Sequence, residues 1–368
     1  MNEIADAGPP DREKGGKFSC NRGRDISRPL GKNNGSQSFS TWVPPIFYRK
    51  CSEPGVSSSM TPERRFWWRI ALELKLRKSN GDAFQDFFST MMSKAHGSDF
   101  VRLRAFGALG DKGCDGYLLP VGHVFQCYGA LNSDSGKVAY LIAKMAGDFA
   151  KALAGVPKIM KEWHMVHNLV DGLPIEAVEQ LEALKAANSG LAFGFIGIEG
   201  FEQRIFGMQT EKIEDLLGIA ATSQDMQNMQ TADLRDLVTN VAQAADDTPF
   251  DVTSIKPVPP DKLEFNKLPN HWRLGIASGW QNAHLVDEYL SRNPDPLIGE
   301  RIAQALRVRY QYLKSQNLTP SAIMASLYEF VTGIGSVTVA RQVAAQALLA
   351  FLFESCDIFE DDPAKVLA

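Results

Sequence analysis

An α/β layer followed by an all-helical C-terminal segment is the fold class this sequence predicts. Short runs with period-2 alternation are interleaved with 3.6-period apolar repeats between residues 61 and 198. The later strand–helix–strand connections are long enough to require parallel pairing, which a layered α/β architecture supplies. From Ser278 onward the apolar repeats read as helices.

Taken in order, residues 1–59 are rich in Gly, Ser, Pro and isolated charges, and are read as a disordered leader. Organised sequence begins after Met60, which is expected to be the natural translation start. Thr61 caps a helix whose first position is Pro62, running to about residue 79. A second helix, about 81–95, places Phe84, Phe87, Phe88, Met91 and Met92 on one apolar face. Strands are predicted near 100–105, 114–119 and 122–128. A helix over 137–153 follows, then strands at Trp163–Asn168 and Leu191–Ile198, separated by a helix.

Two further helices, near 209–219 and 231–245, precede a Pro-rich stretch over 246–271 that reads as a linker or extended arm. Helices are predicted from GWQNAHLVDEYLSRN, PLIGERIAQALRVRYQYLKSQ, PSAIMASLYEFVTG and SVTVARQVAAQALLAFLFESC. The organisation expected is a leader at 1–59, an α/β domain at 60–205, a helical connector and linker at 206–269, and a helical assembly domain at 270–368.

Composition excludes several classes. A hydrophobic content of 44% and a charged content of 22% are ordinary for a globular chain. A net charge of −4 argues against a surface that is one broad nucleic-acid footprint, while leaving room for a local basic groove. Cys20, Cys51, Cys114, Cys127 and Cys356 are odd in number and form no CxxC pair, so a disulfide framework and a zinc knuckle are unsupported and a cytoplasmic setting is expected. No membrane partner is expected, since the most apolar run, Val343–Phe353, is too short for a bilayer and reads as a buried helix.

The chemistry concentrates between Phe100 and Tyr128. Gly110-Asp111 and Asp115-Gly116 precede Phe125-Gln126-Cys127-Tyr128, where alternation turns Gln126 and Tyr128 to one face. Oxygen ligands on adjacent strands of one hairpin can converge on a Mg²⁺ ion, and phosphodiester hydrolysis also needs a cationic group near the attacking water. Asp115 alone reads equally as a turn cap before a strand.

This constellation resembles the PD-(D/E)xK nuclease core in its Mrr-like form, in which a glutamine replaces the second acid. The helix beginning Gly81-Asp82-Ala83-Phe84-Gln85 is similar to the one that carries that family's accessory acid. The resemblance covers about residues 61–200 and implies a restriction-endonuclease-like mixed sheet flanked by helices, a Mg²⁺ or Mn²⁺ cofactor and a DNA substrate. It implies metal ligation by Asp115, Gln126 and Asp111. Two positions depart from the pattern: the accessory acid reads as Gln85 and the motif lysine as Tyr128, so both are expected to position the site. Lys144, on the following helix with Asp148 at i+4, is the candidate for the missing cation; the alternative is a surface pair with Asp148.

Other constellations carry less. Alternation puts His164 and His167 on opposite strand faces, so the pair is not expected to share a metal, and His123 is a weak candidate for substrate contact. The basic, aromatic helix with Arg64, Arg65, Trp67, Trp68, Arg69, Lys75, Arg77 and Lys78 could contact nucleic acid, but reads better as an amphipathic helix with buried tryptophans. The C-terminal sequence over about 270–360 resembles the C-terminal domains of bacterial ABC-three-component systems, to which Lamassu-type anti-phage defence is related. That resemblance implies an SMC-like ATPase and a middle component as partners. The combined expectation is a metal-dependent endonuclease effector, with a non-catalytic nuclease-like module as the alternative.

Overall fold

A computed structural model describes residues 60–104, 112–131, 137–244, 262–333, 337–355 and 358–360. The expected leader and most of the Pro-rich stretch lie outside these residues. Helices α1 (Pro62–Lys78) and α2 (Gly81–His96) lead into strands β1 (Phe100–Arg102), β2 (Gly116–Leu118) and β3 (His123–Tyr128). Then come α3 (Val138–Gly155), β4 (Glu162–His167), α4 (Ile175–Ala187) and β5 (Ala192–Ile196). The remainder is helical: α5 (Ile198–Ile205), α6 (Thr210–Leu217), α7 (Ser223–Gln227), α8 (Arg235–Gln243), α9 (Lys262–Phe265), α10 (Asn270–Trp280), α11 (Ala283–Ser291), α12 (Ile298–Ser315), α13 (Pro320–Thr332) and α14 (Val339–Glu354).

The five strands form one sheet in the order β1-β2-β3-β4-β5. β1, β2 and β3 pair antiparallel; β3, β4 and β5 pair parallel through the α3 and α4 crossovers. The predicted α/β class and mixed sheet are therefore present. One sheet face is covered by α2 and α5, where Phe84, Phe88, Phe100, Phe125 and Phe201 pack together. The other is covered by α3 and α4 around Met145, Phe149, Trp163 and Met165. Each fully buried side chain of this size contributes about 1.5–3 kcal/mol.

Local chemistry sets the boundaries. The Thr61 hydroxyl accepts from the Arg64 N–H, and Pro62 sits where its missing N–H costs nothing. At the other end of α2, Gly97 takes φ 58°, a backbone conformation glycine adopts without Cβ strain. In the helical part the stretch expected as one helix over 279–293 is two, broken between Trp280 and Ala283. α10 also begins earlier than expected because Gly275 and Gly279 let it pack directly on α14, where a Cβ at either position would overlap Gln346. The end of the Pro-rich stretch is anchored: the buried Lys262 ammonium donates to the Phe353 carbonyl at 2.8 Å and lies 4.7 Å from that ring.

One buried carboxylate clasps the α/β layer to the C-terminal helices. Glu73 of α1 is 0% exposed and accepts hydrogen bonds from Arg77 Nε (2.9 Å), Trp272 Nε1 (3.2 Å) and Ser321 Oγ (2.7 Å). His271 Nε2 lies 2.7 Å from Oε2, the oxygen that Trp272 also bonds, while Arg77 and Ser321 share Oε1. Burial alone would raise the Glu73 pKa, but the His271 hydrogen bond, the Arg77 and His271 charges and the Ser321 hydroxyl outweigh it and hold it at about 2.

Candidate active site

Asp115 stands at the mouth of β2. Lys112 and Gly113 take φ 56° and 69°, turning the chain tightly against α3, where a Cβ on Gly113 would press on the Asp148 carbonyl. Asp115 then extends the ladder: its N–H donates to the Phe125 carbonyl at 2.8 Å, and its carbonyl accepts from Leu103 at 3.0 Å. The carboxylate is 5% exposed. Oδ1 accepts from Gln85 Nε2 at 2.6 Å and Oδ2 from the Cys127 N–H at 2.7 Å, so one side chain ties β2 to both β3 and α2.

Gln126 follows on the central strand, 4% exposed. Its Nε2 makes a long 3.4 Å hydrogen bond to the Cys127 carbonyl, and its Oε1 has no hydrogen-bond partner. A buried acceptor left unpaired costs about 1–3 kcal/mol. Cys127 sits between the charged groups: burial first, and the Asp115 carboxylate second, push its thiol pKa well up, while Lys144 and Arg102 pull the other way. Tyr128 is buried in the core beneath α3, 6.3 Å from the Tyr140 ring, which gives it an anchoring place on the strand.

Lys144 is bound to Asp148 at 2.6 Å across one helical turn, and Lys151 reaches the other Asp148 oxygen at 3.0 Å. Asp148 is itself buried, so this pair is more than a solvated surface contact. The Lys144 charge still reaches Cys127, whose N–H holds Asp115. The structure thus brings Gln85, Asp115, Cys127 and Gln126 together at β2 and β3, with Lys144, Asp148 and Lys151 on the adjoining helix. Asp111 lies outside the described residues.

The donor set meets the needs of a Mg²⁺ ion in part. A hard cation takes oxygen ligands: Gln126 Oε1 has no competing donor, whereas each Asp115 oxygen accepts a hydrogen bond, from Gln85 or from the Cys127 N–H, and would share it with the ion. The Lys144–Asp148 pair is the one its i,i+4 spacing offered, whereas Lys151, at i+3 of Asp148, was not anticipated although that spacing was the signal available.

The other constellations resolve on contacts. Trp67 and Trp68 are buried, and the basic face of α1 is engaged: Arg64 and Arg69 pair with Glu214 and Glu202, Lys78 with Glu329, and Arg77 with Glu73 and Asp171. Stacking of bases on those tryptophans is therefore unavailable. His164 and His167 do take opposite faces of β4. His167 is buried, and burial drops its pKa to about 4. His123 does not adjoin Gln126: it lies at the start of β3, in register with Glu162, on the Phe125 face of the sheet.

Residues 232–360 match the family model for C-terminal domain 10 of the ABC-three component (ABC-3C) systems. The resemblance expected for the C-terminal helices is thereby supported; the matched segment begins just before α8. It includes Trp272 and Ser321 of the Glu73 clasp, so the ABC-3C domain and the α/β layer share a buried polar centre. No curated protein and no solved structure matches the chain. Among the described residues no helix is long and apolar enough to cross a membrane.

Proposed function

We propose that this chain is the effector of an ABC-3C anti-phage defence system and that its α/β layer is a metal-dependent endodeoxyribonuclease. The ABC-3C domain would join it to the SMC-like ATPase and middle component of such a system. The observation that carries the nuclease reading is the buried, unpartnered Gln126 Oε1 on the strand whose Cys127 N–H holds Asp115.

Asp115 and Gln126, assisted by Asp111, would hold Mg²⁺ or Mn²⁺, which supplies Lewis-acid polarisation of the scissile phosphate and of water. Gln85 fixes the Asp115 carboxylate by its 2.6 Å hydrogen bond, and Tyr128 anchors the strand end. Lys144, released from Asp148 by an incoming phosphate, would steady the negative charge that develops on the phosphoryl oxygens.

A specific observation favours a second reading. Lys144 is paired with Asp148 and Tyr128 is packed in the core where the resembled motif has a lysine, as a non-catalytic module that binds DNA or partners would have them. Plasmid degradation by the assembled complex, with and without Mg²⁺, separates the two. The nuclease reading expects Mg²⁺-dependent degradation that Asp115→Ala abolishes. Digestion by Asp115→Ala at the wild-type rate overturns the assignment, and absence of cleavage with DNA binding intact supports the second reading.

A further inference from the structure

On the other face of the sheet, the parallel pairing of β3 with β4 assembles a group that the nuclease reading does not use. The register sets His123 beside Glu162 and Phe125 beside His164. Period-2 alternation puts Glu162 and His164 on one face, and His123 joins them from the neighbouring strand. His123 Nε2 lies 2.7 Å from one Glu162 oxygen and His164 Nε2 lies 3.1 Å from the other. The three ligand atoms all fall within 4.8 Å of one another.

We propose that His123, Glu162 and His164 form a binding site for a divalent transition-metal ion of the zinc type. Two imidazoles and a carboxylate are a ligand set for such ions, whereas Mg²⁺ prefers oxygen. Zinc ligands at about 2.1 Å in tetrahedral array stand roughly 3.4 Å apart, a spacing these side chains reach with small rotations. Three protein ligands leave a coordination position for water or an anionic group.

The surroundings hold the ligands in place. The His164 ring stacks on Phe125 with centroids 5.3 Å apart and planes 18° apart. Gly194, opposite it on β5, leaves the space that a Cβ would fill 3.0 Å from Nδ1. The His164 Nδ1 is buried without a hydrogen bond, and its Nε2 faces the Glu162 carboxylate. Arg204 is the cation near enough to act on His123, and its Nη1 is directed to the Gly200 carbonyl at 2.8 Å. His123 precedes Gln126 by three residues, about 10 Å along the strand, and faces the other side, so the two sites are distinct.

The test is a titration of chelator-treated full-length chain with Co²⁺, read by its visible absorption, followed by displacement with Zn²⁺. Visible absorption that saturates at one Co²⁺ per chain is expected, with affinity more than about 100-fold weaker in His123→Ala and His164→Ala and unchanged in Glu179→Gln, an exposed acid of α4. His123→Gln, at the rim of the sheet, and far-ultraviolet circular dichroism separate lost ligation from lost fold. A wild-type chain that takes up no Co²⁺, or uptake that survives in folded His123→Gln and His164→Ala, or that is lost only in Asp115→Ala, overturns the proposal.

Discussion

Two buried polar centres of this molecule are built on opposite principles. At Glu73 both carboxylate oxygens are engaged by Arg77, His271, Trp272 and Ser321, drawn from three helices. At Gln126 an equally buried acceptor is left without a hydrogen bond. A saturated centre stabilises a fold and specifies its packing; an unsaturated one costs stability and persists where something else uses the group. Under the proposed function, the first centre belongs to architecture and the second to chemistry.

The largest effect on stability is expected at the clasp. Glu73→Ala leaves His271, Trp272 and Ser321 without their acceptor and Arg77 with Asp171 as its remaining carboxylate, and breaking a buried pair from one side costs about 3–5 kcal/mol; urea unfolding measures it. A loss below about 1 kcal/mol would mean that the clasp is ornamental. At the neighbouring helix crossing, Gly275→Ala forces a methyl into the Gln346 amide and should cost about 1–3 kcal/mol by the same assay.

Acid separates the α/β layer from the clasp. His167 has its folded pKa lowered to about 4, so the unfolded chain takes up its proton first and stability falls as pH drops from about 6.5 towards 4. Between pH 6.5 and 5 that loss is about 2 kcal/mol. Glu73, held at about 2, keeps its full contribution above about pH 4.5 and loses it only as pH falls towards 2. Urea unfolding at pH 7 and pH 5 should show this loss in wild type and not in His167→Leu; an equal loss in both would mean that His167 does not carry the first step.

The sheet was legible in the sequence because alternation in HVFQCY and WHMVH survives in short strands, and the i,i+4 spacing of Lys144 and Asp148 became a real pair at 2.6 Å. The metal-type triad was not, because His123 and Glu162 are 39 residues apart in sequence and meet only through the register of two parallel strands. Glu73 was hidden for a related reason. On a helix written as amphipathic it reads as one more surface acid, and its partners His271, Trp272 and Ser321 lie about 200–250 residues downstream. Whether Gln126 is satisfied depends on atoms rather than residue types, and no spacing encodes it.

The most direct test of the contrast is Gln126→Leu, with unfolding free energy and Mg²⁺-dependent plasmid cleavage measured on the same assembled preparation. Replacing an unpaired buried amide by an apolar group of similar size should leave stability unchanged or raise it by about 1 kcal/mol, while cleavage falls at least about 100-fold, as on loss of one stabilising group at a reaction centre. A variant that is destabilised by several kcal/mol, or one that cuts DNA at the wild-type rate, would contradict the assignment of Gln126 to chemistry.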